Sequence, residues 1–221
     1  MRLLLTSGGI ANPSIRTALD ALLPKPIDEC NALCIPTAIY GHPHVGPGGN
    51  AWRFVSGNED NVMTQLDWAS MGLLELTALP SIDRDRWVPL VLETDVFLVG
   101  GGDALYLAHW LRESGFVDLM PELDQAVWVG LSAGSMVMTP RIGDDFTGWQ
   151  QPDGSDRALG VVDFCIYPHL EHPMLPHNTT ANARSWAADI GHPAYAIDDD
   201  TAISVVGDVV EVVSEGTWLQ L

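Results

Sequence analysis

The sequence predicts an α/β fold with a mostly parallel sheet, in a single domain spanning residues 1–221. Two observations predict it. Short apolar runs recur with no polar alternation, as strands covered on both faces require. Helix-length amphipathic stretches separate them, and that order favours parallel pairing. The runs are residues 3–6, 32–35, 73–77, 96–99 and 127–130. Among the intervening stretches, 61–71 sets Val62, Leu66 and Ala69 on one face, and 103–113 does the same with Leu107, Ala108 and Leu111. In the second, Asp103 suits an N-cap and Gly115 lies just past the end. A third helix is expected over 178–190, closed by Gly191. The tail changes character. Runs at 194–198, 202–206, 209–213 and 217–221 are short and rich in Val and Ile, and Gly207-Asp208 reads as a hairpin turn. Antiparallel strands added at the end or edge of the main sheet are expected there. Residues 40–58, rich in Gly, Pro, His and Asn, read as a long loop.

Composition narrows the function classes. The 221 residues carry 10 basic and 29 acidic side chains, a formal charge of −19. Such a surface repels phosphate backbones and anionic lipid, so nucleic acid and membranes are not expected partners. No apolar run approaches the roughly 18 residues of a membrane span, and the opening segment reads as a buried strand rather than a secretory signal. Cys30, Cys34 and Cys165 sit among apolar residues without disulfide-framework spacing. They suit buried thiols in a reducing, cytoplasmic setting. A homodimer is compatible with the sequence but not dictated by it.

The chemistry-bearing features lie at strand ends. Gly130-Leu131-Ser132-Ala133-Gly134 matches G-x-S-x-G directly after an apolar strand and before a helix-compatible run stopped by Pro140. This is the setting of a nucleophile elbow. A sharp strand-to-helix turn needs tiny flanking residues, and it lifts the hydroxyl above the sheet beside the next backbone N–H. A serine nucleophile needs a base, and the base an orienting carboxylate. His169 follows the apolar run 161–167, and a strand end is a rigid mount. Asp144 and Asp145 lie between Ser132 and His169, giving the order Ser, Asp, His. The triple glycine Gly100-Gly101-Gly102 ends another strand and opens a helix at Asp103. It could be a phosphate cradle, an oxyanion hole or a plain tight turn. No G-x-G-x-x-G is completed and no Lys follows, so the oxyanion hole, shared with the Ala133 N–H, fits best.

Taken together, these features resemble the peptidase E (aspartyl dipeptidase) family of serine peptidases. The likeness covers most of the chain: Leu3-Leu4-Leu5, Ile35-Pro36-Thr37-Ala38, Val99-Gly100-Gly101-Gly102, Gly130 through Ser135, and Pro168-His169. The separation 169 − 132 = 37 agrees with that family. The resemblance implies a flavodoxin-like three-layer α/β sandwich related to class I glutamine amidotransferases. It implies Ser132 as nucleophile, His169 as general base, and Gly101 or Gly102 with Ala133 as oxyanion hole. It points to Asp145, with Asp144 next, as the orienting acid, although the stretch is one residue shorter than in the family. The family's residue after the triple glycine is usually Asn. Here it is Asp103, which either binds a peptide ammonium or caps the helix. Arg184 falls where the family carries an arginine thought to meet an acidic P1 side chain, against a plain reading as a solvated helix residue. The implied substrate is a short peptide, with N-terminal Asp as a hypothesis, and no cofactor is expected.

Two rivals stand beside this reading. His169, Glu171, His172 and His177 could form a zinc cluster, but the spacing matches no helical zinc-protease pattern. His42 and His44 are candidates for the substrate entrance. At the level of function, the alternatives are a non-peptidase amidase or esterase, or a non-catalytic ligand-binding protein of the same fold.

Overall fold

The computed structural model describes residues 1–58 and 63–221. Its main sheet has seven strands: β1 (Arg2–Thr6), β2 (Asn31–Ile35), β3 (Ser70–Leu73), β4 (Val96–Val99), β5 (Val127–Leu131), β8 (Thr201–Val206) and β9 (Val209–Ser214). They run in the order β3-β2-β4-β5-β1-β8-β9. The first five pair in parallel, and β8 and β9 are added antiparallel at the β1 edge. A second sheet, β10-β7-β6, is formed by β6 (Cys165–Tyr167), β7 (Ala194–Ile197) and β10 (Trp218–Gln220). The helices are α1 (Pro13–Leu22), α2 (Ala38–Gly41), α3 (Pro47–Ser56), α4 (Arg84–Leu92), α5 (Ala104–Glu113), α6 (Ala133–Met136) and α7 (Thr180–Ile190).

Burial explains why the central strands lack alternation. Leu3, Leu5, Phe97, Val99 and Trp128 join one apolar cluster. Their neighbours Leu4, Val96, Leu98, Val127 and Val129 join the other. Successive side chains point to opposite faces of a strand, so both faces must be covered. Each fully buried large side chain contributes roughly 1.5–3 kcal/mol. A third cluster, around Tyr167, Leu170, Trp186 and Ala196, ties α7 to the small sheet.

The runs at 194–198 and 217–221, expected as antiparallel additions to the main sheet, become β7 and β10 of the second sheet, with β7 parallel to β6. Four further expected elements differ. The strand expected at 73–77 is β3, which ends at Leu73. Glu75 accepts from the Thr77 N–H at 3.2 Å and turns the chain into a 3-10 helix, Leu76–Ser81. The helix expected at 61–71 begins at residues outside the described ones. Its described part is a 3-10 turn, Met63–Gln65, followed by β3. The loop expected at 40–58 contains α3. Ala51 and Phe54 are buried at helical spacing, and Gly57 closes the helix at φ 71°. The run 161–167 gives only the short β6. Val161 and Val162 donate to the Met138 carbonyl at 2.8 and 3.1 Å instead of entering a ladder. The hairpin at Gly207, the cap at Asp103 and the stop at Gly191 form as expected.

The topology gathers chain ends. β1, β5 and β4 are adjacent, so Ser7, Ser132 and Gly100–Gly102 emerge side by side at their carboxyl ends. β6 and β7, paired in parallel, deliver His169 and Asp199 from the second sheet. In an open α/β sheet, this is where ligands bind.

Candidate active site

Ser132 is the strained residue at the apex. Its φ is 50° and ψ −108°, a conformation that costs on the order of 1–3 kcal/mol for a residue with a Cβ. The surroundings impose it. The Ser132 N–H donates to the Thr6 carbonyl at 3.0 Å, continuing the β1–β5 ladder. The Ser135 hydroxyl donates to the Thr6 and Gly130 carbonyls at 2.7 and 2.9 Å. The Thr6 hydroxyl donates to Gly130 at 2.7 Å, and the buried Trp128 indole to the Gly134 carbonyl at 2.8 Å. A Cβ at Gly134 would overlap the Val99 carbonyl, so glycine is needed for α6 to sit on the end of β4.

His169 also has positive φ, 56°. Its N–H donates to the Ser7 hydroxyl at 2.7 Å. The ring then bridges two groups. Nε2 lies 2.9 Å from Ser132 Oγ, and Nδ1 lies 2.6 Å from Asp199 Oδ1. The Ser7 hydroxyl donates to the same Asp199 oxygen at 2.8 Å. On the other oxygen, His172 Nε2 approaches to 3.4 Å. His172 Nδ1 accepts from the Met174 N–H at 3.1 Å, so in the neutral ring Nε2 carries the proton. Burial by itself would raise the Asp199 carboxyl. The His169 and Ser7 hydrogen bonds and the nearby imidazoles outweigh it and hold Asp199 below the ordinary carboxylate value.

The structure thus brings Ser132 and His169 together and places a different carboxylate against the ring from the two expected. Neither Asp145 nor Asp144 meets His169; Asp199 does. Asp144 and Asp145 open an exposed 3-10 turn, Asp144–Phe146. The sequence held the signal for Asp199: it sits just past the apolar run 194–198, as His169 does past its own. Three consecutive acids, Asp198, Asp199 and Asp200, hid which one faces inward. Asp198 is consumed by the turn, accepting from Asp200 N, Thr201 Oγ1 and Thr217 N. Ser7 was missed for lack of any motif around it.

Beside Ser132, the N–H groups of Ala133, Gly101 and Gly102 make no hydrogen bond among the described residues, whereas Gly100 N and Asp103 N are both used. A Cβ at Gly101 would stand 3.5 Å from Ser132 Cβ, so that backbone borders the hydroxyl. Gly102 has φ 136°, and a Cβ there would overlap the Ala38 carbonyl. Gly102→Ala is therefore expected to destabilise the fold by about 2 kcal/mol or more, read as a lower midpoint in urea unfolding.

Asp103 is 2% exposed. Its Oδ1 accepts from Tyr106 N at 2.8 Å and its Oδ2 from Gly148 N and Trp149 N at 3.0 and 2.6 Å. Three backbone donors hold it. It caps α5, as one of its two expected roles had it, and clamps the 148–149 segment. Arg184 is exposed on α7 and lines neither cavity near the nucleophile. The main cavity, about 820 Å³, is bordered by Ser132, His169, His42, His44 and Arg53. Arg53 is its one Arg or Lys, and the guanidinium has no carboxylate partner among the described residues. Burial, with the charge of His44, pushes His42 below the ordinary imidazole value against the opposing charge of Asp103. The candidate zinc cluster disperses. Glu171 caps α7 through Thr180 N at 2.7 Å and His172 faces Asp199. Among the described residues, no group of three or more His, Cys, Asp or Glu is placed to hold a metal. The three cysteines are buried thiols, none in a disulfide. No helix among the described residues is long and apolar enough to cross a membrane.

With that geometry in hand, the comparisons decide the family. The sequence model of peptidase family S51 matches residues 3–213. The chain belongs to peptidase family S51. This peptidase is a serine-type hydrolase on that membership, and the resemblance to peptidase E holds. Two solved structures share the fold of this S51 chain. One is a protein named as a candidate peptidase E from Listeria monocytogenes EGD-e, 16% identical, with a TM-score of 0.69 over 97% of this chain and 98% of that one. The other is a peptidase from an acI-B1 Actinobacterium, 20% identical, with a TM-score of 0.70 over 100% and 93%. No curated protein matches the S51 chain significantly.

Proposed function

We propose that the chain hydrolyses short peptides by acyl transfer through a Ser132–His169–Asp199 triad. The observation that carries this reading is the imidazole bridge, 2.9 Å to the serine oxygen and 2.6 Å to the carboxylate. In the reaction, His169 Nε2 takes the Ser132 proton as Oγ attacks the substrate carbonyl carbon. The carbonyl oxygen becomes an oxyanion beside the unpaired N–H groups of Ala133 and Gly101 or Gly102. Collapse breaks the C–N bond, and His169 passes its proton to the departing amine. Water then attacks the acyl-Ser132 ester with His169 again as base, releasing the acid and the free hydroxyl. Asp199 keeps the proton of the neutral ring on Nδ1, leaving Nε2 as acceptor, and stabilises the imidazolium. A cavity of about 820 Å³ has the scale of a small-ligand site and suits a dipeptide or a little more.

For N-terminal Asp as the preferred substrate residue, the cation available in the cavity is Arg53, on α3, rather than Arg184. Arg53→Ala is expected to lower kcat/KM for Asp-X dipeptides about tenfold or more relative to Ala-X, while Arg184→Ala keeps the wild-type ratio. Steady-state kinetics on matched dipeptides reads this. Equal losses on both substrates would show that Arg53 does not read the charge.

A further inference from the structure

A second cavity, of about 480 Å³, shares Asp145, Phe146 and Asn178 with the lining of the first. Its polar lining is rich in acceptors. The Asp145 carboxylate is exposed and makes no hydrogen bond or ion pair among the described residues. One N–H of the Asn182 amide donates to the His177 carbonyl at 2.6 Å, and one N–H of the Asn178 amide to the Pro168 carbonyl at 3.1 Å. Both amide oxygens are thereby left as acceptors. The Tyr167 hydroxyl donates to the His177 carbonyl at 3.2 Å, so its oxygen too presents lone pairs. Among the described residues no Lys or Arg lines the cavity, which also carries the Ser185 hydroxyl and the His177 imidazole.

We propose that this side cavity is a subsite for a protonated amine carried by the peptide, with Asp145 as the anion that reads it. The inference rests on the peptidase reading above. An alkylammonium offers three N–H donors and a charge, and the cavity supplies acceptors and the opposite charge. A substrate carboxylate would meet acceptors and a like charge there. Phe146 and Tyr167, edge to face at 4.9 Å, add aromatic surface that favours a cation. The field has the right sign. After burial, the charges of Asp145 and Glu171 are what push the Tyr167 phenol up. Asp145 is thus a specificity residue standing beside the reaction. The amine has two chemical sources, the peptide's α-amino group and a lysine side chain.

The test compares wild type with Asp145→Asn on two substrate pairs. In the first, the α-amino group of an otherwise neutral dipeptide is free or acetylated. In the second, an N-acetylated dipeptide carries Lys or norleucine. In wild type the amine-bearing member of one pair is expected to have a kcat/KM at least about fivefold higher, mainly through KM. In Asp145→Asn that ratio is expected to fall to near one. The responding pair identifies the source of the amine. No amine preference in wild type, or a preference that Asp145→Asn leaves intact, overturns the proposal. Fluorophosphonate labelling of Ser132, run in parallel, separates the two layers. Labelling without charge discrimination sinks the subsite alone, and absent labelling in wild type sinks the nucleophile assignment.

Discussion

Replacing Ser132 by alanine is expected to lower kcat/KM for small peptides by on the order of 10⁴- to 10⁶-fold, with fluorophosphonate labelling lost. The size follows from the mechanism: without Oγ there is no acyl-enzyme, and only binding and the N–H donors remain. The loss is chemical rather than structural. Alanine keeps the Cβ, and the hydrogen bonds that fix the elbow come from Thr6, Ser135 and Trp128. Unfolding curves of the variant are therefore expected to overlay those of wild type within a few tenths of a kcal/mol. Full hydrolysis by Ser132→Ala would remove Ser132 from the mechanism.

Asp199→Asn is expected to cost about 10³- to 10⁴-fold in kcat, with KM little changed. An asparagine amide facing Nδ1 donates where the carboxylate accepts. It favours the tautomer with the proton on Nε2, which then has no lone pair for the Ser132 hydroxyl. Asp144→Asn, on the exposed turn, is expected to retain wild-type kcat. The same carboxylate leaves a mark on stability. Its folded value lies below its unfolded one, so the fold favours the ionised form. That contribution is fully present above the ordinary carboxylate value of about 4 and is lost as pH falls through the lower folded value. The drop in Tm between pH 7 and pH 3 is expected to be smaller in Asp199→Asn than in wild type. An equal drop in both would show that the folded fold does not hold Asp199 ionised.

The sheet was legible in the sequence because burial on both faces leaves an unmistakable mark. Leu3 to Leu5, Val96 to Val99 and Val127 to Val129 have no polar position to offer solvent. The α3 helix was obscured because Gly and Asn fill its first turns, while Ala51 and Phe54, with the partly buried Val55, face the core. At the site, legibility followed motif density. Ser132 lies in a five-residue pattern whose glycines are needed by steric contact. The Gly101–Gly102 turn carries the same kind of mark. His169 could be found from a strand end and a spacing. Asp199 follows a strand in the same way, but it is one of three consecutive acids, and nothing in the local sequence records the pairing of β6 with β7 that turns it toward His169. Asp144 and Asp145 fitted the chain order but not the space. At Asp103 the sequence left two readings open, a helix cap or an ammonium ligand, and three backbone donors hold it as the cap.

The measurement closest to the central claim is the rate and site of fluorophosphonate modification in wild type, Asp144→Asn and Asp199→Asn, mapped by peptide mass spectrometry. The triad account predicts a single adduct on Ser132, formed at matching rates in wild type and Asp144→Asn and at least about 100-fold more slowly in Asp199→Asn. An adduct on another residue, or a rate that survives Asp199→Asn and collapses in Asp144→Asn, would contradict it.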